Sequence, residues 1–163
     1  MVHHPFLGRT VAAIFRSQLE EYRRLFGRDP EFFNGHHHLH LSPNMIVGRL
    51  PPPGSTVRRS EAFFKGEKKQ LRRSYGRLVD AWVLRSRASS DAFFNLIPVD
   101  DRARLTRIVE IAKTSRVELM VHPWMPDNYE FLMGPAFEIL TASVLLGNFS
   151  DLRPGGAGRA TAS

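Results

Sequence analysis

Apolar residues recur with helical spacing in four stretches, and short unbroken apolar runs lie between them. Over residues 9–26, Val11, Ile14, Phe15, Leu19, Tyr22 and Phe26 share one helical face, and Gly27 supplies a C-terminal stop. Asp29-Pro30 ends that helix before a short apolar run at residues 31–34. Ser42-Pro43-Asn44 marks a turn or helix entry, with one or two helical turns over residues 45–50. After the rigid connector Pro51-Pro52-Pro53-Gly54, residues 56–60 read as a strand. A second amphipathic helix is predicted over residues 68–85, with Leu71, Tyr75, Leu78, Val79 and Trp82 as its apolar stripe. Residues 92–97 form a short buried-strand candidate closed by Pro98. Asp100 then offers an N-cap to a third helix, whose Leu105, Ile108, Val109 and Ala112 fall at i, i+3, i+4 and i+7. Residues 117–122 are the clearest strand, ended by Pro123. Pro135 opens a last helix to Leu146, with Phe137, Leu140 and Val144 inward. Residues 153–163 are rich in Gly, Ala and Ser and read as a flexible tail behind a domain over residues 1–152.

Strand and helix therefore alternate in about four units, the signature of an α/β protein with a parallel sheet. Four units are too few to close an eight-unit barrel, which takes about 250 residues. A partial TIM-like (β/α) barrel, its C-terminal half, is the expected fold.

Composition narrows this picture little. The 163 residues are 42% hydrophobic and 24% charged, an ordinary globular balance. Lys and Arg number 23 against 16 Asp and Glu, giving a net charge of +7. The arginines are spread along the chain, so they read as solvated surface, and no recognisable nucleic-acid motif accompanies them. With no cysteine, disulfides and thiolate metal sites are excluded. No run approaches a membrane span and no secretory signal opens the chain, so a cytoplasmic location is expected.

Candidate chemistry concentrates in Asn34-Gly35-His36-His37-His38-Leu39-His40, where four of seven histidines lie within five positions. If the segment is extended, His36, His38 and His40 share one face, an arrangement suited to a divalent cation at a strand's carboxyl end. A polar surface loop is the plainer alternative, opposed by the flanking Phe32, Phe33, Leu39 and Leu41. His122 ends the clearest strand, where an imidazole can act as acid or base, although a lone histidine there is often structural. Arg58 and Arg59 follow the second strand, and either can hold a carboxylate or a polar substrate group. Paired arginines are also ordinary solvated surface. Asn34 either supports the cluster or simply turns the chain. Trp124 either stacks on a sugar ring or packs in the core.

The run Leu25-Phe26-Gly27-Arg28-Asp29-Pro30, the histidine cluster with Ser42-Pro43, and Glu118-Leu119-Met120-Val121-His122-Pro123 together resemble the YdjC-like deacetylases. That family includes chitooligosaccharide deacetylases and relatives linked to hopanoid biosynthesis. In it a helix ends in Phe-Gly-x-x-Pro, an Asp-Ser-His-x-His-x-His segment follows, and a Glu-x-Met-x-His-Pro strand comes later. Asn34-Gly35 stands here in place of Asp-Ser.

The resemblance implies a distorted TIM-like barrel that hydrolyses the N-acetyl group of an amino sugar with a divalent metal, Mg2+ or Zn2+. It implies His36 as a metal ligand and His122 as the acid for the leaving amine. His38, His40, Asn34, Arg58 and Trp124 are left to contact substrate or support the site. The family's opening Asp-Asp motif and second metal histidine are absent, so the chain is expected to correspond to the C-terminal half. It is also expected to self-associate through exposed sheet edges. The alternative is a non-catalytic metal- or sugar-binding relative.

Overall fold

The computed structural model describes residues 5–67 and 70–152, so the expected tail lies outside the described residues. The chain divides into two compact units. One gathers Met1–Ser60, Tyr75–Ser89 and Phe149–Ser163, and the other Glu61–Ser74 and Ser90–Asn148.

In the first unit, helix α1 (Pro5–Phe26) ends where Gly27 adopts φ +65°, a conformation open to glycine at little cost. Val11, Phe15, Leu19 and Tyr22 form its half-buried stripe, while Ile14 and Phe26 of the expected face stay outside. Strand β1 (Phe32–Phe33) follows, then a short 3-10 segment (His36–Leu41) and α2 (Pro43–Val47), entered at Ser42 as the turn signal suggested. β1 pairs in parallel with β2 (Thr56–Val57), Phe32 opposite Thr56 and Phe33 opposite Val57. Ala88 extends this arrangement by a parallel bridge to Thr56.

Helix α3 (Gln70–Val83) enters the unit at Tyr75. It buries Val79, Asp80 and Val83, spaced i, i+1 and i+4. Tyr75, Leu78 and Trp82, expected on the inward stripe, are exposed instead. The core of this unit is Leu41, Val57, Val79 and Val83, flanked by Phe33, Ile46 and Leu84.

In the second unit, β3 (Ala92–Asn95) and β4 (Val117–Met120) pair in parallel from Ala92 opposite Val117 to Asn95 opposite Met120. Helix α4 (Arg102–Ala112) connects them. Its N-cap is Asp101, one residue beyond the expected Asp100, and its carboxylate accepts from Arg104 N at 2.9 Å. Leu105 and Ile108 are buried as the periodicity predicts, against Phe94, Leu96 and Phe131. Each such side chain contributes about 1.5–3 kcal/mol by leaving water.

Arg104 is buried too, its guanidinium donating to Glu67 Oε1 and to Asn95 O, both at 2.7 Å. Two helices close the unit, α5 (Pro126–Met133) and α6 (Pro135–Thr141). α5 has no counterpart in the sequence reading, and α6 stops before the expected Leu146. Gly134 separates them because any Cβ there would lie 2.9 Å from Glu130 O.

Among the described residues the architecture is thus alternating α/β with parallel sheets, and no sheet closes into a barrel. Among the described residues, no helix is long and apolar enough to cross a membrane.

Candidate functional site

The histidine segment follows β1, and Arg58 follows β2, so both stand at carboxyl ends of parallel strands, where α/β proteins place their sites. The segment is compact, which corrects the extended reading. His37 (φ 50°) and His38 (φ 59°) adopt left-handed backbone conformations, a state that costs L-residues about 1–2 kcal/mol each. His38 N donates to Gly35 O and Ser42 N to Leu39 O, each at 2.9 Å. The period-two alternation that would align His36, His38 and His40 is therefore lost. The side chain of His36, the expected metal ligand, lies outside the described residues.

His40 is 4% exposed and both of its ring nitrogens are engaged. Nδ1 accepts from Gly35 N at 2.9 Å, and Nε2 donates to Arg58 O at 2.6 Å. The partners fix the neutral Nε2–H tautomer. Glycine at 35 permits this approach, because a Cβ there would sit 2.6 Å from His40 N. His40 thus pins the loop after β1 to the end of β2. His38 is half-buried, its ring centroid 6.1 Å from that of His40, whereas His37 and Asn34 are exposed. Arg58 places its guanidinium over the Phe32 ring at 5.8 Å. Arg59 takes the carboxylate role open to either arginine, with Nε 3.3 Å from Asp80 Oδ2.

Asp80 escaped the sequence reading. It is 6% exposed on α3 and accepts from Ser60 N at 2.8 Å and from Ser60 Oγ at 2.7 Å. The available signal was its place beside Val79 and Val83, where a carboxylate must find partners.

Burial lowers the pKa of His40 below the usual value, opposed by its hydrogen bond to the Arg58 carbonyl and reinforced by the nearby His38 and Arg58 charges. Because the folded value lies under the unfolded one of about 6.5, the unfolded chain binds more protons between the two. The contribution of His40 is whole above the unfolded value and is lost as pH falls toward the folded one. We expect urea midpoints to drop on acidification through this window. His40→Gln should flatten the dependence. An unchanged slope in the variant would refute this.

In the second unit, His122 stands two residues beyond β4, at its carboxyl end. Its N–H donates to Oδ1 of Asn128, 1% exposed on α5, at 3.1 Å, and its carbonyl accepts from Met125 N at 2.9 Å. Its Nδ1 is buried with no hydrogen-bond partner among the described residues. Trp124 meets the ring edge-on, centroids 6.2 Å apart. Trp124 is 80% exposed, which removes the core alternative. A cleft of about 600 Å³ opens beside this corner, between Ile97–Asp100 and α5. Asn128 and Met125 line it, whereas His122 and Trp124 do not. Asn128 was not singled out in the sequence, because nothing in its spacing separates it from an ordinary first-turn residue.

A family model described as YdjC-like protein matches residues 3–143. The chain belongs to the YdjC-like family. No curated protein and no solved structure matches it.

For this YdjC-like chain the expected divalent cofactor must be corrected. Among the described residues, no three His, Asp or Glu side chains come together in a group able to hold a metal ion. The physical reason is local. His40 spends both nitrogens on backbone partners, and the left-handed turn at His37 and His38 breaks the one-faced array. The described residues do not fit a metal centre.

Proposed function

We propose that this chain acts on N-acetylated amino sugars, as a hydrolase of the carbohydrate deacetylase type. Membership of the YdjC-like family over residues 3–143 carries the reading. The strand-end corner of His122 and Trp124 supports it. An exposed indole offers a flat face to the apolar side of a pyranose ring. An imidazole beside it, half-buried as a residue, can pass a proton to the amine as the C–N bond breaks and water takes the acetyl carbon. Asn128 holds the His122 backbone and so fixes where that ring stands. The partial TIM-like barrel remains part of this proposal, since parallel strand–helix alternation with functional residues at strand carboxyl ends is its local pattern.

A second reading, sugar binding without hydrolysis, is favoured by the lack of a metal-holding group among the described residues. Calorimetric titration of the chain with N-acetylglucosamine oligomers, combined with an acetate-release assay, separates the two. Binding with acetate release supports the hydrolase. Binding without it supports the second reading. Failure to bind would reject both.

A further inference from the structure

The positive charge of this protein is unevenly placed. The first unit carries 13 Lys and Arg against 6 Asp and Glu, whereas the second is balanced at 10 against 10, so the whole excess of +7 belongs to the first. Within that unit, α3 turns an apolar stripe outward. Tyr75, Leu78 and Trp82 are 51%, 70% and 40% exposed, at i, i+3 and i+7, hence on one side of the helix. Arg77 lies on the exposed arc and Arg85 just past the helix end, both exposed. The single carboxylate of α3, Asp80, is turned away into the unit and held by Arg59 and Ser60. The outward arc from Ser74 to Arg85 thus combines aromatic, aliphatic and cationic side chains with no acid to oppose an anionic partner.

We propose that this face of α3 docks on an anionic lipid surface. Indole and phenol rings favour the boundary between headgroups and acyl chains. Leu78 between them can enter the apolar layer, and guanidinium groups meet the lipid phosphates. A nucleic acid would reward the arginines but give no reason for an apolar residue as exposed as Leu78. The stripe runs from Tyr75 to Trp82, about 10 Å of helix, so the contact is weak and reversible. It orients the chain on a membrane without inserting it. Such docking is independent of hydrolysis and does not require the proposed deacetylase activity.

The test uses the full chain carrying Trp124→Phe, which leaves Trp82 as the one indole reporter. Vesicles of phosphatidylcholine with and without phosphatidylserine are the probes. Trp82 emission should shift to the blue and resist acrylamide only with the anionic vesicles. Partition should fall about fivefold for each of Arg77→Gln and Arg85→Gln, and about tenfold or more for Leu78→Glu. Added salt should weaken it as well. Melting of Leu78→Glu should match the parent, since Leu78 is mostly in solvent. Equal partition onto both vesicle types, or wild-type binding by Leu78→Glu, would overturn the proposal. So would a lipid-free dimer dissolved by Leu78→Glu, which would mean that a second copy covers the stripe. Preferential binding to duplex DNA, lost in the arginine variants, would overturn it too.

Discussion

Replacing Asp80 with alanine is expected to destabilise the chain by about 2–4 kcal/mol. The carboxylate serves the Ser60 N–H, the Ser60 hydroxyl and Arg59 at once, at 2.8, 2.7 and 3.3 Å. Each buried donor left without an acceptor costs about 1–3 kcal/mol. The side chain of Arg59 is 23% exposed, so its guanidinium can rehydrate and adds little. The two Ser60 donors therefore dominate the loss. Asp80→Asn keeps one carbonyl acceptor and should cost roughly half as much. Urea unfolding followed by tryptophan fluorescence gives both values. Equal losses for the two variants would mean that charge, and hence Arg59, governs the site.

Asp80 also decides which way α3 faces, and this marks where the sequence was legible. The helix carries apolar residues on two sides, Val79 and Val83 on one, Tyr75, Leu78 and Trp82 on another. Periodicity alone favours the larger aromatic stripe, because it scores hydrophobicity and is blind to partners. The outcome is set by groups distant in sequence. Ser60 approaches α3 so closely that a Cβ at Gly76 would lie 2.9 Å from its hydroxyl. In α4 no such competition exists, since Leu105, Ile108 and Val109 form one stripe, and the helix and its buried face follow the pattern. α5 was missed for the opposite reason. Its buried residues are Asn128 and Phe131, while Tyr129 and Met133 are exposed, so hydrophobicity leaves no helical signature.

The histidine segment was legible as a special place and misread in its geometry. Alternation along a strand assumes a uniform extended backbone. His37 and His38 leave that region, and histidine tolerates the left-handed conformation better than most side chains. The clue was Gly35, directly before the cluster and hydrogen-bonded through its N–H to His40 Nδ1. A glycine there signals close backbone approach, and that approach commits His40 to Gly35 and Arg58 rather than to a ligand. The strand-end position of His122, by contrast, follows from β4 and Pro123, both evident in the sequence.

His122→Asn is expected to lower acetate release by about 10²–10⁴-fold if its imidazole protonates the departing amine, the range typical of a positioned general acid. Asparagine retains a polar side chain of similar reach, and the backbone bond to Asn128 does not depend on the residue at 122. Folding should therefore be little affected. A group used only as the C–N bond breaks lowers kcat and kcat/KM together, with little change in KM. Trp124→Ala should behave differently. An indole that is 80% exposed has little folding role, and loss of its stacking face should raise KM about tenfold with kcat nearly constant. The contrast between the two variants is the decisive readout. If His122→Asn raised KM alone, the imidazole would be a binding group like its neighbour, and the proton for the amine would have to come from elsewhere. If both variants left catalysis and binding unchanged, the corner at the end of β4 would not be where the sugar reacts.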